Sequence, residues 1–154
     1  MIQAHLAATV TPDDTAFPVY VHTIEHADGL VLVDTGIIDS IPELDEEWHP
    51  TPHPLPDELV ARVALVINTH LHFDHCGGNR LFPGIPIHVQ ARELADARSE
   101  EDYTVPAWID FPGATYVEQH GDADEQECRH GLPSLLRGAV DELLQATPRV
   151  VIKL

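Results

Sequence analysis

Three histidines and one aspartate fall within six residues of this chain. His70, His72, Asp74 and His75 stand in the run Thr69-His70-Leu71-His72-Phe73-Asp74-His75-Cys76-Gly77-Gly78. Imidazole and carboxylate are the donors that suit zinc and similar borderline divalent ions. A single histidine at a strand end more often just meets solvent; four donors at this density predict a metal site. Cys76, next to the last of them, reads either as a thiolate ligand or as a small packed residue at a tight turn, and its type favours packing.

The elements that position these groups are legible around them. Ala64-Leu65-Val66-Ile67 is an apolar, β-branched run that reads as a buried strand leading into the motif. If the extended backbone continues, His70, His72 and Asp74 emerge on one side, while Leu71 and Phe73 turn back into the core. His75 breaks that parity, so a bend is expected there, with Gly77-Gly78 supplying the backbone freedom for it.

These residues also carry a resemblance. His-x-His-x-Asp-His resembles the signature of the metallo-β-lactamase superfamily, and Thr-His-Leu-His-Phe-Asp-His-Cys-Gly-Gly-Asn is most similar to its N-acyl-homoserine lactone lactonases. The resemblance implies an α/β fold, the metallo-β-lactamase-like αββα sandwich. It implies that His70 and His72 serve one metal, and Asp74 and His75 a second. The expected cofactor is zinc, one or two ions, with another divalent metal as the alternative. The implied activity is hydrolysis of a lactone, ester or related acyl bond of a small molecule by a metal-bound hydroxide, with Asp74 positioning it and shuttling its proton. Thioesters and β-lactams are alternative substrates for the same machinery.

The similarity runs from about Phe17 to Glu125. The family's later ligands, a histidine in a Thr-Pro-Gly-His-type turn, a bridging aspartate and a final histidine, have no matching strings here. His130, beside Gly131, is the candidate for the missing histidine of the first metal; His120 is the alternative. Asp122 or Asp124 could stand in for the bridging aspartate. Pro133 to Leu144 reads as an amphipathic helix and Pro148 to Leu154 as a strand, so residues 1–154 are expected to form one domain: the N-terminal half of the sandwich plus a short remnant of the second half. The missing ligands motivate a second reading, a non-catalytic metal-binding remnant. They also motivate a homodimer, since a half-sandwich exposes an apolar sheet face that a second copy would cover, and His130 of one copy could then complete the site of the other.

Composition excludes other classes. The 154 residues carry 26 acidic against 8 basic side chains, a formal charge of −18. Such a field repels phosphate backbones, so no nucleic-acid partner is expected. No apolar run is long enough to cross a bilayer, so no membrane partner is expected either. The two cysteines, Cys76 and Cys128, make no disulfide framework, and no leader precedes the first strand; both features lead to the expectation of a reducing cytoplasm.

The remaining elements follow from local pattern. Phe17 to Glu25 and Leu30 to Val33 read as strands joined by a hairpin at Asp28-Gly29. The second runs into Asp34-Thr35-Gly36, which is also how an aspartic protease presents one carboxylate of its dyad. No second copy of that tripeptide occurs, so Asp34 is assigned a supporting role, hydrogen-bonding backbone or a ligand imidazole. Ile37 to Pro56, rich in proline and acid, reads as an irregular loop in which Trp48, His49 and His53 could line a substrate entrance. Short helices are expected over Pro56–Arg62, Asn79–Phe82 and Ala91–Glu100, and strands over Pro86–Gln90 and Thr115–Glu118. Tyr103, Trp108 and Phe111 are expected either in the core or against an acyl chain.

Overall fold

The computed structural model describes residues 1–120. Among the described residues, seven strands form one mixed sheet: β1 (Ile2–Val10), β2 (Phe17–His26), β3 (Gly29–Val33), β4 (Thr51–Pro52), β5 (Val63–Ile67), β6 (Pro86–Gln90) and β7 (Thr115–Gln119), in the spatial order β4-β1-β2-β3-β5-β6-β7. The hairpin of β2 and β3 is antiparallel, as two residues of turn require, whereas β3, β5, β6 and β7 run parallel. Parallel neighbours need crossovers. The short helices α1 (Pro42–Glu47), α2 (Asp57–Val60), α3 (Phe73–Cys76), α4 (Ala91–Ser99) and α5 (Pro106–Ile109) lie in those connections.

The parallel strands explain why their sequences are apolar without alternation. Leu30, Leu32, Val63, Val66 and Ile87 pack on one sheet face with Phe82 and Phe111. Val31, Val33, Leu65 and Ile67 point the other way and are at most 5 % exposed, so both faces of β3 and β5 are buried in the single chain. These are the residues whose expected exposure motivated a homodimer, and here they are buried.

The loop Ile37–Pro56 is more regular than expected. It contains α1, opened by Pro42 at a position where a missing N–H costs nothing, and β4, which pairs with β1 at the sheet edge. The predicted helix at Ala91 is α4, with Leu94 and Ala97 buried as its pattern requires. The expected helix and strand over 133–154 lie outside the described residues, as do His130, Asp122 and Asp124. Among the described residues, no helix is long and apolar enough to cross a membrane.

Candidate metal centre

The motif sits where β5 ends. Ile67 is the last strand residue; the chain bends at Thr69, and His72, itself in extended conformation, leads into α3 at Phe73. The parity argument therefore fails two residues earlier than expected. Leu71 is fully buried, but Phe73 faces the site side and packs against Trp48, ring centroids 5.3 Å apart. A helical turn brings Asp74 and His75 back over His70, which a continuing strand could not do.

The glycines act differently from the expectation. Gly77 and Gly78 have ordinary negative φ angles. What they supply is space: a Cβ on Gly78 would stand 2.5 Å from the Thr35 carbonyl oxygen, and one on Gly77 2.9 Å from that of Gly36. The motif helix thus rests directly on the backbone of the Asp34-Thr35-Gly36 turn. Thr35 N–H closes the contact on the His75 carbonyl at 2.8 Å.

Donor atoms of His70, Asp74 and His75 all lie within 4.8 Å of one another. Two ligands each about 2.1 Å from one zinc ion are at most about 4.2 Å apart, so a small closure suffices for this set to hold one. The charge state fits as well. Burial works against the Asp74 carboxylate, but the hydrogen bond and charge of His75 outweigh it and hold the acid below its ordinary range. Burial, then the neighbouring His75 and His72, keep His70 below the usual imidazole value, so its lone pair is available. Burial also opposes protonation of His75, yet hydrogen bonds to Asp34 and Asp74 outweigh it and raise the group to about 10. An imidazolium held between two carboxylates, Asp34 at Nδ1 and Asp74 at Nε2, is a positive charge where a cation would be bound.

His72 is close but arranged differently. Its ring meets His70 edge-on at 4.7 Å and Tyr103 at 4.6 Å between centroids, and it is not one of the three gathered donors. His120 is exposed just after β7 and also lies outside that group. Cys76 is buried, its thiol reaching Leu71 O and Thr104 Oγ1, and burial pushes it up to about 12, in keeping with a packed residue rather than a thiolate ligand.

Asp34 is the support beneath the cluster. Its backbone has φ of +57°, a conformation that aspartate tolerates better than most residues. Its carboxylate accepts from Thr69 N–H, from the Thr69 hydroxyl and from His75 Nδ1, each at 2.8 Å. Thr69 was not singled out by the sequence, although its place directly before His70 was a signal.

A cavity of about 1060 Å³ opens over His70, His72 and Asp74. Val10, Ile41, Leu44, Trp48, Phe73 and Val105 give it an apolar wall, and Tyr103 contributes its ring. Of the three loop residues proposed for an entrance, only Trp48 lines it; His53 pairs instead with Thr9. Trp108 and Phe111 are core residues.

A mixed sheet of this order, bearing this cluster at a strand end, defines a class. The family profile described as the metallo-beta-lactamase superfamily matches residues 14–142, and the chain belongs to that superfamily. Among curated relatives it is similar to an N-acyl homoserine lactonase of a Bacillus species, 30 % identical over 115 residues, covering 62 % of this chain and 46 % of that protein. A second, from Bacillus thuringiensis, is 32 % identical over 108 residues, covering 56 % and 42 %. The chain spans about half the length of the curated relatives it matches. In fold it is similar to a solved N-acyl homoserine lactone hydrolase with N-hexanoyl-L-homoserine bound at its catalytic metal centre, with a TM-score of 0.62 and 24 % identity over 80 % of this chain and 61 % of that one.

Proposed function

We propose that this chain is a metal-dependent hydrolase acting on a lactone or related ester, with His70, His72, Asp74 and His75 as metal ligands and zinc as the first candidate. The observation that carries the proposal is the convergence of His70, Asp74 and His75 within 4.8 Å, with His70 and Asp74 lining a cavity that has an apolar wall. The relatives named as lactonases support the same activity class. A divalent ion, if held there by these residues, would supply Lewis acidity toward water and an acyl carbonyl. The chain's own groups supply the rest. Asp74, kept ionised, is placed to orient an attacking water and accept its proton at a carboxylate oxygen. Asp34 fixes the His75 ring through Nδ1. The wall formed by Ile41, Leu44, Trp48 and Phe73 suits an acyl chain and excludes water from it. His130 is proposed as a further ligand, from the same chain or from a second copy in a homodimer.

Glu43, Glu47, Glu100, Glu101 and Asp102 also line the cavity. Carboxylates there disfavour substrates carrying their own, which favours an uncharged lactone over a β-lactam or an acidic thioester. Zinc-loaded protein is expected to open N-acyl-homoserine lactones and to leave β-lactams intact. Folded, metal-replete protein that turns over no lactone would overturn the assignment. One observation favours a second reading, a non-catalytic metal-binding remnant: only three donors gather among the described residues.

A further inference from the structure

The polar contacts around Thr69 carry an inference about how the site is set. Thr69 Oγ1 lies 2.8 Å from Asp34 Oδ2 and 3.1 Å from His70 Nδ1. A hydroxyl has one proton and two acceptor lone pairs, while an ionised carboxylate only accepts. If the Thr69 proton went to His70, two oxygens would face each other at 2.8 Å with no hydrogen between them. The proton therefore belongs to Asp34, and Thr69 Oγ1 meets His70 as an acceptor. His70 Nδ1 must then carry the hydrogen.

The same carboxylate oxygen accepts from His75 Nδ1 at 2.8 Å. Asp34 thus reaches one imidazole directly and the other through a hydroxyl. Thr69 Oγ1 is also 3.4 Å from His75 Nδ1, at the edge of bonding distance, so the three groups form one small network. The two rings it holds lie close together, centroids 3.9 Å apart and planes inclined by 45°.

From this geometry we infer that Thr69 is a positioning residue: its hydroxyl, oriented by Asp34, fixes His70 with hydrogen on Nδ1 and so presents Nε2 as the metal-facing nitrogen. An imidazole whose Nδ1–H is already bonded has one lone pair left, in one direction. Without the hydroxyl, His70 can turn over or exchange its hydrogen, and half of its orientations offer the wrong nitrogen. The identity needed at position 69 is therefore a hydroxyl, not merely a small β-branched residue. Serine should serve, and valine, which has the shape of threonine, should not.

The consequence for metal binding rests on the proposed metal site, whereas the hydrogen position does not. Long-range proton–nitrogen correlation spectra of the metal-free protein read the tautomer of His70 directly. Wild type and Thr69→Ser are expected to show hydrogen on Nδ1, and Thr69→Val a loss of that preference. Competition with a chromophoric chelator is expected to show zinc affinity roughly 10- to 100-fold weaker in Thr69→Val, with Thr69→Ser close to wild type. Hydrogen on Nε2 of His70 in the wild type overturns the inference, and this arm stands even if the valine variant does not fold. So does a Thr69→Val protein with unchanged tautomer. Wild type that binds no zinc removes the metal site but leaves the tautomer measurement to decide the role of Thr69. Wild type that binds zinc as tightly as Thr69→Val overturns the role while the metal site stands.

Discussion

The ring of Tyr103 lies against the imidazole of His72, centroids 4.6 Å apart and planes inclined by 55°. Its hydroxyl donates to Glu93 on α4, which anchors the ring from behind. Burial, then this hydrogen bond to a carboxylate, holds the phenol above the ordinary tyrosine range, so it stays a donor. His72, the one motif histidine outside the gathered set, is therefore oriented by a residue some thirty positions downstream. Tyr103→Ala is expected to weaken zinc binding by about tenfold, the lower end of the effect of losing a ligand's support. Tyr103→Phe keeps the ring and is expected to stay near wild type. Equal losses in both variants would show that the Glu93 bond, not the ring, is what counts; chelator competition distinguishes them.

The contact between the motif helix and the Asp34-Thr35-Gly36 turn makes Gly78 intolerant of any side chain. A Cβ there meets Thr35 O at 2.5 Å and Thr35 Cβ at 3.1 Å, and the nearest of these is backbone, which cannot swing away. Gly78→Ala is expected to cost roughly 1–3 kcal/mol. Gly84 is a different case, with φ of +78° and nothing within 4 Å of the added carbon. Gly84→Ala should cost only the backbone term, about 1 kcal/mol, and Gly84→Asn less. Thermal melts of the three variants check the order. Gly78→Ala as stable as wild type would mean that the turn and the helix do not rest on each other.

His88 on β6 gives the fold an acid-sensitive point. It is 2 % exposed, its Nδ1 accepts from Gln119 Nε2 at 3.1 Å, and burial holds it below the ordinary imidazole value. The folded chain keeps it neutral, whereas the unfolded chain takes up a proton as pH falls through about 6.5. Its stabilisation is therefore complete above that value and is lost progressively below it, down to the folded pKa. Between pH 7.5 and 5.5 this group should account for up to about 1.4 kcal/mol of the loss. Denaturant titrations of wild type and His88→Gln at both pH values measure it. The variant is expected to lose less stability on acidification, and an identical loss would contradict the assignment.

Much of this was visible in the residues themselves. The strands over 17–26, 29–33, 63–67, 86–90 and 115–119 have local causes, β-branched runs ended by turn residues, and local causes can be read from sequence. The clustering of His70, Asp74 and His75 was legible for the same reason, because they are neighbours in the chain. What could not be read depends on contacts between distant segments. Nothing near residue 103 reveals that Tyr103 faces His72. The need for glycine at 78 looked like a matter of backbone angles and is instead a matter of the Thr35 carbonyl pressing on it. The turn into α3 comes at Phe73 rather than at His75, because helical hydrogen bonds back to the His72 carbonyl, from His75 N at 2.9 Å and Cys76 N at 3.1 Å, replace the extended backbone. The edge pairing of Thr51-Pro52 with β1 was hidden by prolines that elsewhere mark loops.

Elemental mass spectrometry of the purified protein, loaded with zinc and dialysed, tests the central claim most directly. Wild type is expected to retain at least one zinc ion per chain, as a site with three protein donors should. A variant carrying Asp74→Asn and His75→Ala together is expected to retain none, with circular dichroism showing that it is folded. A folded wild type without stoichiometric metal, or a folded double variant with as much zinc as wild type, would contradict the account.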